Sequence, residues 1–225
     1  MASSAELVDQ IRRTAGPGQH TLDPAVRRRL ATLTRALVRA RPDSVEEFDR
    51  YLAVRRRRLA VPAGPVADAV RDRTVLVTGG SGCIGTALLH QLAALRPAKL
   101  ISLGVTPPVN QLPAVRYTHA DVRAPARIQE VFDRYRPDLV FHLAAQRDPG
   151  LAERRAAETI GTNLLGTATI VAAAERTGSQ RLVYASPGKA VRPFTTDTYA
   201  GSKRMGEWLL ADATAQGRLI CSGVR

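Results

Sequence analysis

The sequence predicts an α/β fold, a doubly wound parallel sheet with helices on both faces, preceded by a helical N-terminal region. Three observations predict it. An apolar run, Val75-Leu76-Val77, passes through Thr78 into glycines at Gly79, Gly82 and Gly85 and then into Thr86-Ala87-Leu88-Leu89. From residue 74 onward, short apolar runs alternate with amphipathic stretches, the pattern of β-α-β units. Before that, residues 1–70 read as helical, with leucines and arginines at helical spacing and no catalytic constellation.

In chain order, Asp23 followed by Pro24 starts a helix, with Leu30, Leu33, Leu37 and Val38 on one side and Arg27, Arg28, Arg35 and Arg39 largely on the other. Ser44-Val45-Glu46-Glu47 is a capping-box pattern, followed by an apolar stripe through Val45, Phe48, Leu52 and Leu59. Pro62-Ala63-Gly64-Pro65 reads as a linker or bend, and a short helix through Val66, Ala69 and Val70 leads to the first strand. The expected strands are 74–78, 100–103, 115–119, 139–143, 181–185 and 219–222. The expected helices are 84–95, 125–134, 153–176 with a possible break, and 198–216. The run at 139–143 is apolar apart from His142, as suits a strand buried on both faces.

The glycine pattern carries the first chemical inference. Gly79 permits a sharp turn, Gly82 lets the backbone approach a pyrophosphate, and Gly85 allows the helix to pack closely on the strand. A dinucleotide would then sit at the positive end of the following helix. The strand before and the helix after supply the context that a lone glycine pattern lacks. We therefore expect a helical region over residues 1–72 and a Rossmann-type NAD(P)-binding domain over 73–225.

Composition limits the alternatives. The 225 residues can bury one substantial core and an appendage, and no apolar run approaches the roughly 20 residues of a membrane helix. The expectation is a cytoplasmic globular protein with no membrane partner. Cys83 and Cys221 are isolated and form neither a metal cluster nor a disulfide framework, so both are expected to be reduced and no metal is expected. The net charge of +13 divides into +6 over residues 1–73 and +7 over 74–225, so neither part is a basic tail. Arg55-Arg56-Arg57-Arg58 is the one cluster, read as a solvated helix face; no recognition motif accompanies it, and nucleic acid is not the expected partner.

A second constellation is Tyr199-Ala200-Gly201-Ser202-Lys203. Residues four apart share a helix face, so Tyr199 and Lys203 would project together, and a nearby ammonium would lower the phenol's pKa and ready it for proton exchange with a substrate oxygen. Ser186, at the end of the strand 181–185, could bind the same oxygen.

With these residues in order, the segment from Thr74 to Arg225 resembles the short-chain dehydrogenase/reductase superfamily, in its extended branch of nucleotide-sugar epimerases and dehydratases. Ala120-Asp121-Val122-Arg123 resembles the segment whose Asp contacts adenine, Phe141-His142-Leu143-Ala144-Ala145 the stretch lining the nicotinamide side, and Thr162-Asn163-Leu164-Leu165-Gly166-Thr167 the helix signature TNxxGT. The resemblance implies cofactor contacts from Gly79, Gly82, Cys83, Ile84, Gly85, Asp121, Val122, Leu143, Ala144, Ala145, Asn163, Tyr199 and Lys203. Read alone, His142 is a packed strand residue and Asn163 helix-stabilising rather than substrate-contacting. The resemblance also implies Tyr199 as acid/base, Lys203 as its modulator and ribose contact, and Ser186 as orienter of the substrate oxygen.

Ser186-Pro187-Gly188-Lys189-Ala190-Val191-Arg192-Pro193 resembles the STDKAVNP segment of polysaccharide-biosynthesis 4,6-dehydratases, in which the Asp acts as acid and the Lys as base in the elimination of water. Lys189 is kept but Gly188 replaces the Asp, which leaves oxidation, reduction, epimerisation and dehydration of a nucleotide sugar or related metabolite all open. A noncatalytic dinucleotide-binding or regulatory protein is the alternative. Ser102-Leu103-Gly104-Val105-Thr106-Pro107 shows neither the acid that binds a ribose 2′-hydroxyl nor an Arg for a 2′-phosphate, so NAD and NADP both stay open, as does a homo-oligomer. The extended branch continues past the strand resembling 219–222 into a substrate lobe, so the resemblance implies a chain that binds a dinucleotide but turns over nucleotide sugars poorly by itself.

Overall fold

The computed structural model describes residues 3–15, 22–40, 52, 62–191 and 197–225. Its internal packing divides the chain into Met1–Val61 and Pro62–Arg225. The stripe beginning at Val45 and the cluster Arg55–Arg58 lie outside the described residues.

In the first unit, α1 (Ser4–Thr14) and α2 (Pro24–Ala40) pack on each other, with Leu7 and Leu33 buried. Ser3 and Glu6 form a reciprocal capping box on α1. Asp23 caps α2 as its position before Pro24 suggests, its carboxylate accepting from the Ala25 and Val26 N–H groups at 2.7 and 2.9 Å.

The second unit opens with α3 (Ala63–Val70), so Ala63-Gly64-Pro65 is helical rather than a linker. Pro65 is tolerated because the N–H groups of a first turn have no intrahelical acceptor. Val70 is buried in the same apolar cluster as Val75 and Leu139, which ties α3 to the sheet and sets the division ahead of it, not at 72/73.

The sheet comprises β1 (Thr74–Thr78), β2 (Lys99–Gly104), β3 (Val115–His119), β4 (Leu139–His142), β5 (Arg181–Ala185) and β6 (Ile220–Val224), all parallel, in the order β3-β2-β1-β4-β5-β6. The sixth strand starts at Ile220, one residue later than expected, because Leu219 is drawn into the core; β6 itself is largely exposed. Successive side chains of a strand face opposite layers, and β1 shows it: Leu76 joins one apolar cluster, Val75 and Val77 the other. The first cluster holds Ile128 and Phe132 of α5 (Pro125–Tyr135), Ile170 of α8 (Gly166–Thr177) and Leu210 of α9 (Thr198–Ala215). The second holds Leu89 and Leu92 of α4 (Cys83–Ala94).

The helical stretch expected over 153–176 is broken. It starts earlier, as α6 (Pro149–Arg154), turns at Arg155 with φ −131° and ψ 55°, continues as α7 (Ala156–Ile160), and passes through a π-helical turn (Gly161–Leu165) into α8. No described helix is long and apolar enough to cross a membrane. The chain reverses direction of winding between β1 and β4, and in such sheets the crevice beyond the strand ends at that point is where ligands bind.

Candidate active site

At the end of β1, Gly79 adopts φ +69°, and a Cβ there would lie 2.8 Å from the Ala144 nitrogen. Conformation and space both demand glycine. A Cβ on Gly85 would overlap the Gly79 carbonyl oxygen and lie 2.6 Å from the Gly80 Cα, so helix α4 touches the turn backbone to backbone. Gly82 differs: an added Cβ would meet only the Gly79 oxygen, at 3.3 Å, and otherwise points toward open space. Gly82 is also the N-cap of α4 and no side chain caps that helix, which leaves its first-turn N–H groups for an anion.

Above this turn lies a cleft of about 510 Å³ whose walls include Gly79, Gly82, Cys83, Ile84, Gly85, Asp121, Val122, Leu143, Ala144 and Ala145. Its volume is that of a small-molecule site, and a cradle kept open at Gly82 beside an uncapped helix end fits the diphosphate of a dinucleotide. Asp121 is gripped by Arg123 through both carboxylate oxygens, down to 2.6 Å, which holds its carboxyl below the usual range. At the end of β2 the wall is Gly104, Val105 and Thr106, without charge. Among the described residues no group of His, Cys, Asp and Glu could hold a metal.

Beneath the cleft runs a chain of buried hydroxyls. The Thr78 hydroxyl accepts from the N–H groups of Leu143 and Ala144, at 3.2 and 3.1 Å, so its own proton goes to Nδ1 of His142 at 2.7 Å. The opposite ring nitrogen, Nε2–H, then donates to the Thr167 hydroxyl at 3.0 Å, and Thr167 donates to the Asn163 carbonyl at 2.6 Å. His142 is fully buried, and desolvation with the nearby Lys203 charge pushes its pKa down to about 3, so the ring is neutral. Asn163 does not reach the cleft wall. Its carboxamide accepts from the Gln146 N–H (2.8 Å) and donates to the Gln146 carbonyl (2.9 Å) and Ser202 hydroxyl (3.0 Å), stapling the loop after β4 to α9. In this arrangement the carboxamide holds the loop in position.

Tyr199 and Lys203 both lie on α9, whose N-cap Asp197 accepts from the Ala200 N–H at 2.6 Å. Lys203 is 2% exposed and its Nζ sits 3.8 Å from the centre of the Tyr184 ring on β5. Burial pushes its pKa down to about 7, against the pull of Glu207. Tyr199 is half-buried, and its phenol is raised, by desolvation first and the Asp197 carboxylate second, with Arg147 opposing. This corrects the expectation of a phenol lowered by its ammonium neighbour: the Lys203 charge is turned to the Tyr184 ring and is not among the groups acting on Tyr199. Burial likewise holds the Tyr184 phenol well above its ordinary value.

Ser186 is buried, and its hydroxyl makes no hydrogen bond of good geometry among the described residues, although it helps to hold the Glu207 carboxyl down. Arg225 dominates that carboxyl, pairing with it at 2.6 Å. Lys189 is exposed on a single 3-10 turn, Gly188–Val191. None of Ser186, Lys189, Tyr199 and Lys203 lines the cleft; Ala185, at the end of β5, does.

Sequence reasoning passed over four participants. Thr78 and Tyr184 read as ordinary strand residues. Gly80 matters because a Cβ there would overlap the Ser102 hydroxyl of β2, and the Gly-Gly pair was its signal. Arg147, on the cleft wall, is one arginine in an arginine-rich chain and had no signal.

A family model described as "NAD dependent epimerase/dehydratase family" matches residues 75–225. The probable polysaccharide biosynthesis protein EpsC of Bacillus subtilis is 27% identical over 185 residues, covering 76% of this chain and 30% of that protein. Among solved structures, the epimerase Mth375 of Methanothermobacter thermautotrophicus superposes with a TM-score of 0.66 at 25% identity, covering 73% of this chain and 55% of that one. The UDP-glucose 4-epimerase of Thermus thermophilus, solved as a complex with NAD, gives 0.62 at 27% identity, covering 68% and 54%. The chain thus spans about half the length of these solved structures and under a third of EpsC.

Proposed function

We infer the chemistry from one premise: the chain belongs to the NAD-dependent epimerase/dehydratase family. We propose that it binds NAD(H) or NADP(H) in the cleft above the glycine turn and serves oxidation-reduction chemistry on a nucleotide-activated sugar or related metabolite. The observation that carries this reading is the cleft's position, at the reversal between β1 and β4, with an open Gly82 under it and the end of β5 at its edge.

Gly79, Gly82 and Gly85 with the N–H groups of α4 would hold the diphosphate, Asp121 and Val122 the adenine, and Leu143, Ala144 and Ala145 the nicotinamide side. When bound, the dinucleotide would supply a hydride acceptor and donor. Tyr199 would exchange the proton: its raised pKa keeps the phenol neutral at pH 7, in the form that donates to a substrate oxygen. Ser186 would orient that oxygen with a hydroxyl that has no settled partner. Lys203, near half-charged at neutral pH, would gain charge as ribose or substrate oxygens approach it. Lys189 stands as a base in a dehydratase reading, without the acid that Gly188 replaces. Nucleotide sugars and dinucleotides are cytoplasmic metabolites, which supports a cytoplasmic site of action.

The test is incubation with both dinucleotides and a panel of nucleotide sugars, followed by mass spectrometry of the retained ligands. Retention of a dinucleotide together with a sugar nucleotide is the expected result. A dinucleotide retained without any sugar would favour a noncatalytic binding protein, a reading that the Gly188 departure supports. No retained dinucleotide would reject the cleft assignment.

A further inference from the structure

Tyr199 does not line the cleft, yet its main chain is joined to the cleft wall by one continuous run of hydrogen bonds. Gln146, on the wall, donates its N–H to the Asn163 carboxamide oxygen at 2.8 Å, and its carbonyl accepts a carboxamide N–H at 2.9 Å. The other carboxamide N–H goes to the Ser202 hydroxyl at 3.0 Å, and Ser202 donates its own proton to the Tyr199 carbonyl at 2.8 Å. Asn163 and Ser202 are both 0% exposed, so water does not compete for either. The direction of each proton is set: the Gln146 N–H can only donate, which turns the carboxamide oxygen toward it, and both carboxamide N–H groups are then committed, leaving the Ser202 proton for Tyr199.

A serine that bonds only a carbonyl one turn back along its helix makes an ordinary local contact. Ser202 differs because the acceptor side of the same hydroxyl is taken from outside α9, by Asn163 on the π-helical turn, 39 residues away in the chain. The other anchors of this first turn, Asp197 on the Ala200 N–H and Glu153 on the Thr198 N–H, both at 2.6 Å, do not line the cleft. We propose that Ser202 is a positioning residue: it locks the Tyr199 main chain to the loop after β4, so that a dinucleotide seated on that loop sets where the phenol stands. This rests on the reading of the cleft as a dinucleotide site and of Tyr199 as the proton-exchanging group. The Ser202 hydroxyl touches no reacting atom; it fixes the place of one that does, and small misplacements of such groups are costly.

NMR of the 225-residue protein labelled with carbon-13 at tyrosine Cζ tests it, with and without saturating NAD. The Tyr199 signal is the one missing from Tyr199→Phe. Without NAD, Ser202→Ala is expected to shift and broaden that signal and to bring its titration midpoint down toward the ordinary phenol value as burial is relaxed, while the Tyr117 and Tyr184 signals stay in place. Ser202→Thr, which keeps the hydroxyl, should return the signal toward its wild-type position. By calorimetry NAD affinity should stay within about threefold in Ser202→Ala, and the movement of the Tyr199 signal on NAD binding should fall by about half or more. If Ser202→Ala does not fold, Asn163→Asp reads the same signal, because it keeps an oxygen for the Gln146 N–H and has no N–H for Ser202. A Tyr199 signal and midpoint that coincide with those of the wild type would overturn the proposal, as would an equal response to NAD in the two proteins. Tyrosine signals that all move together in Ser202→Ala would overturn it too, since Ser202 would then be a general fold contact. Failure of the wild type to bind NAD would instead strike the reading of the cleft, with the NAD-free comparison still deciding whether Ser202 holds Tyr199.

Discussion

The Lys203 ammonium lies 3.8 Å above the centre of the Tyr184 ring, inside the protein and facing an aromatic side chain of the neighbouring strand. Helix α9 comes close enough for this because of Gly206, where any Cβ would overlap the Tyr184 hydroxyl. The ring face partly repays the desolvation of the charge, and the pKa of about 7 shows that it does not repay all of it.

The first prediction is a pH-dependent stability. In the unfolded chain Lys203 titrates at its ordinary value of 10.5, and in the folded protein at about 7. Between those values the unfolded state binds more protons, so stability rises as pH increases from about 7 toward 10.5, by on the order of 5 kcal/mol at full effect. Urea unfolding of wild type and Lys203→Met at pH 7 and pH 9.5 checks it: the wild type gains on the variant at the higher pH. Equal slopes in the two proteins would reject the buried charge.

His142 acts in the same direction in a more acid window. Its folded pKa of about 3 lies below the unfolded value of 6.5, so its contribution is fully present above 6.5 and is lost as pH falls toward 3. Nitrogen-15 NMR of the ring should show a neutral imidazole protonated at Nε2 at pH 5. A charged ring at that pH would contradict the hydroxyl chain through Thr78 and Thr167.

Gly82 and Gly85 should part company on mutation. Gly82→Val keeps the fold, because the added group meets a single oxygen at 3.3 Å, but it fills the cradle and abolishes NAD binding by calorimetry. Gly85→Ala drives a methyl into the turn backbone and destabilises by several kcal/mol in thermal melts, the class of change that overpacking produces. Undiminished NAD affinity in Gly82→Val would refute the cradle.

Replacing Asn163 with Ala removes three hydrogen bonds between the loop after β4, the π-helical turn and α9. The Gln146 main-chain groups lose their partners and the Ser202 hydroxyl loses its donor, keeping only its own bond to the Tyr199 carbonyl at 2.8 Å, a cost of about 2–4 kcal/mol in urea unfolding. Less than 0.5 kcal/mol would show the staple to be dispensable.

If the complete protein is an enzyme, Tyr199→Phe should lower its turnover by roughly 10²–10⁴-fold while NAD affinity stays within twofold, as expected when only a transferred proton is lost. Steady-state rates and calorimetry on the same preparation check both halves. A variant that keeps its rate would remove Tyr199 from the chemistry.

Much of this was legible because the signals are local. The central strands β1, β2 and β4 announced themselves by short apolar runs, and the glycine turn by its spacing, since those patterns answer to backbone geometry between near neighbours. Long-range packing was not legible. That Lys203 would face Tyr184 instead of Tyr199 depends on how far α9 sinks toward β5, which Gly206 decides and no helix-face argument contains. The four-residue spacing correctly puts Tyr199 and Lys203 on one helix, yet it is silent on burial, and burial governs both pKa shifts. The bonds of Asn163 were not legible for the same reason: its partners, Gln146 and Ser202, are distant in the chain.

The one-directional chain from Thr78 through His142 and Thr167 to Asn163 also constrains how this sequence can drift. Each hydroxyl or ring both gives and receives, so changing any one member strands a buried polar group on its neighbour. Substitution of Thr78 by Val, for instance, orphans the His142 Nδ1 and the Ala144 main-chain N–H at once, while the Leu143 N–H keeps the Thr78 carbonyl at 3.1 Å. Acceptable replacements must therefore come in sets: a descendant that loses His142 should also have exchanged at least one of the two threonines, and positions 78, 142 and 167 should covary as a block, whereas the chain's last acceptor is the main-chain carbonyl of residue 163, which any residue supplies.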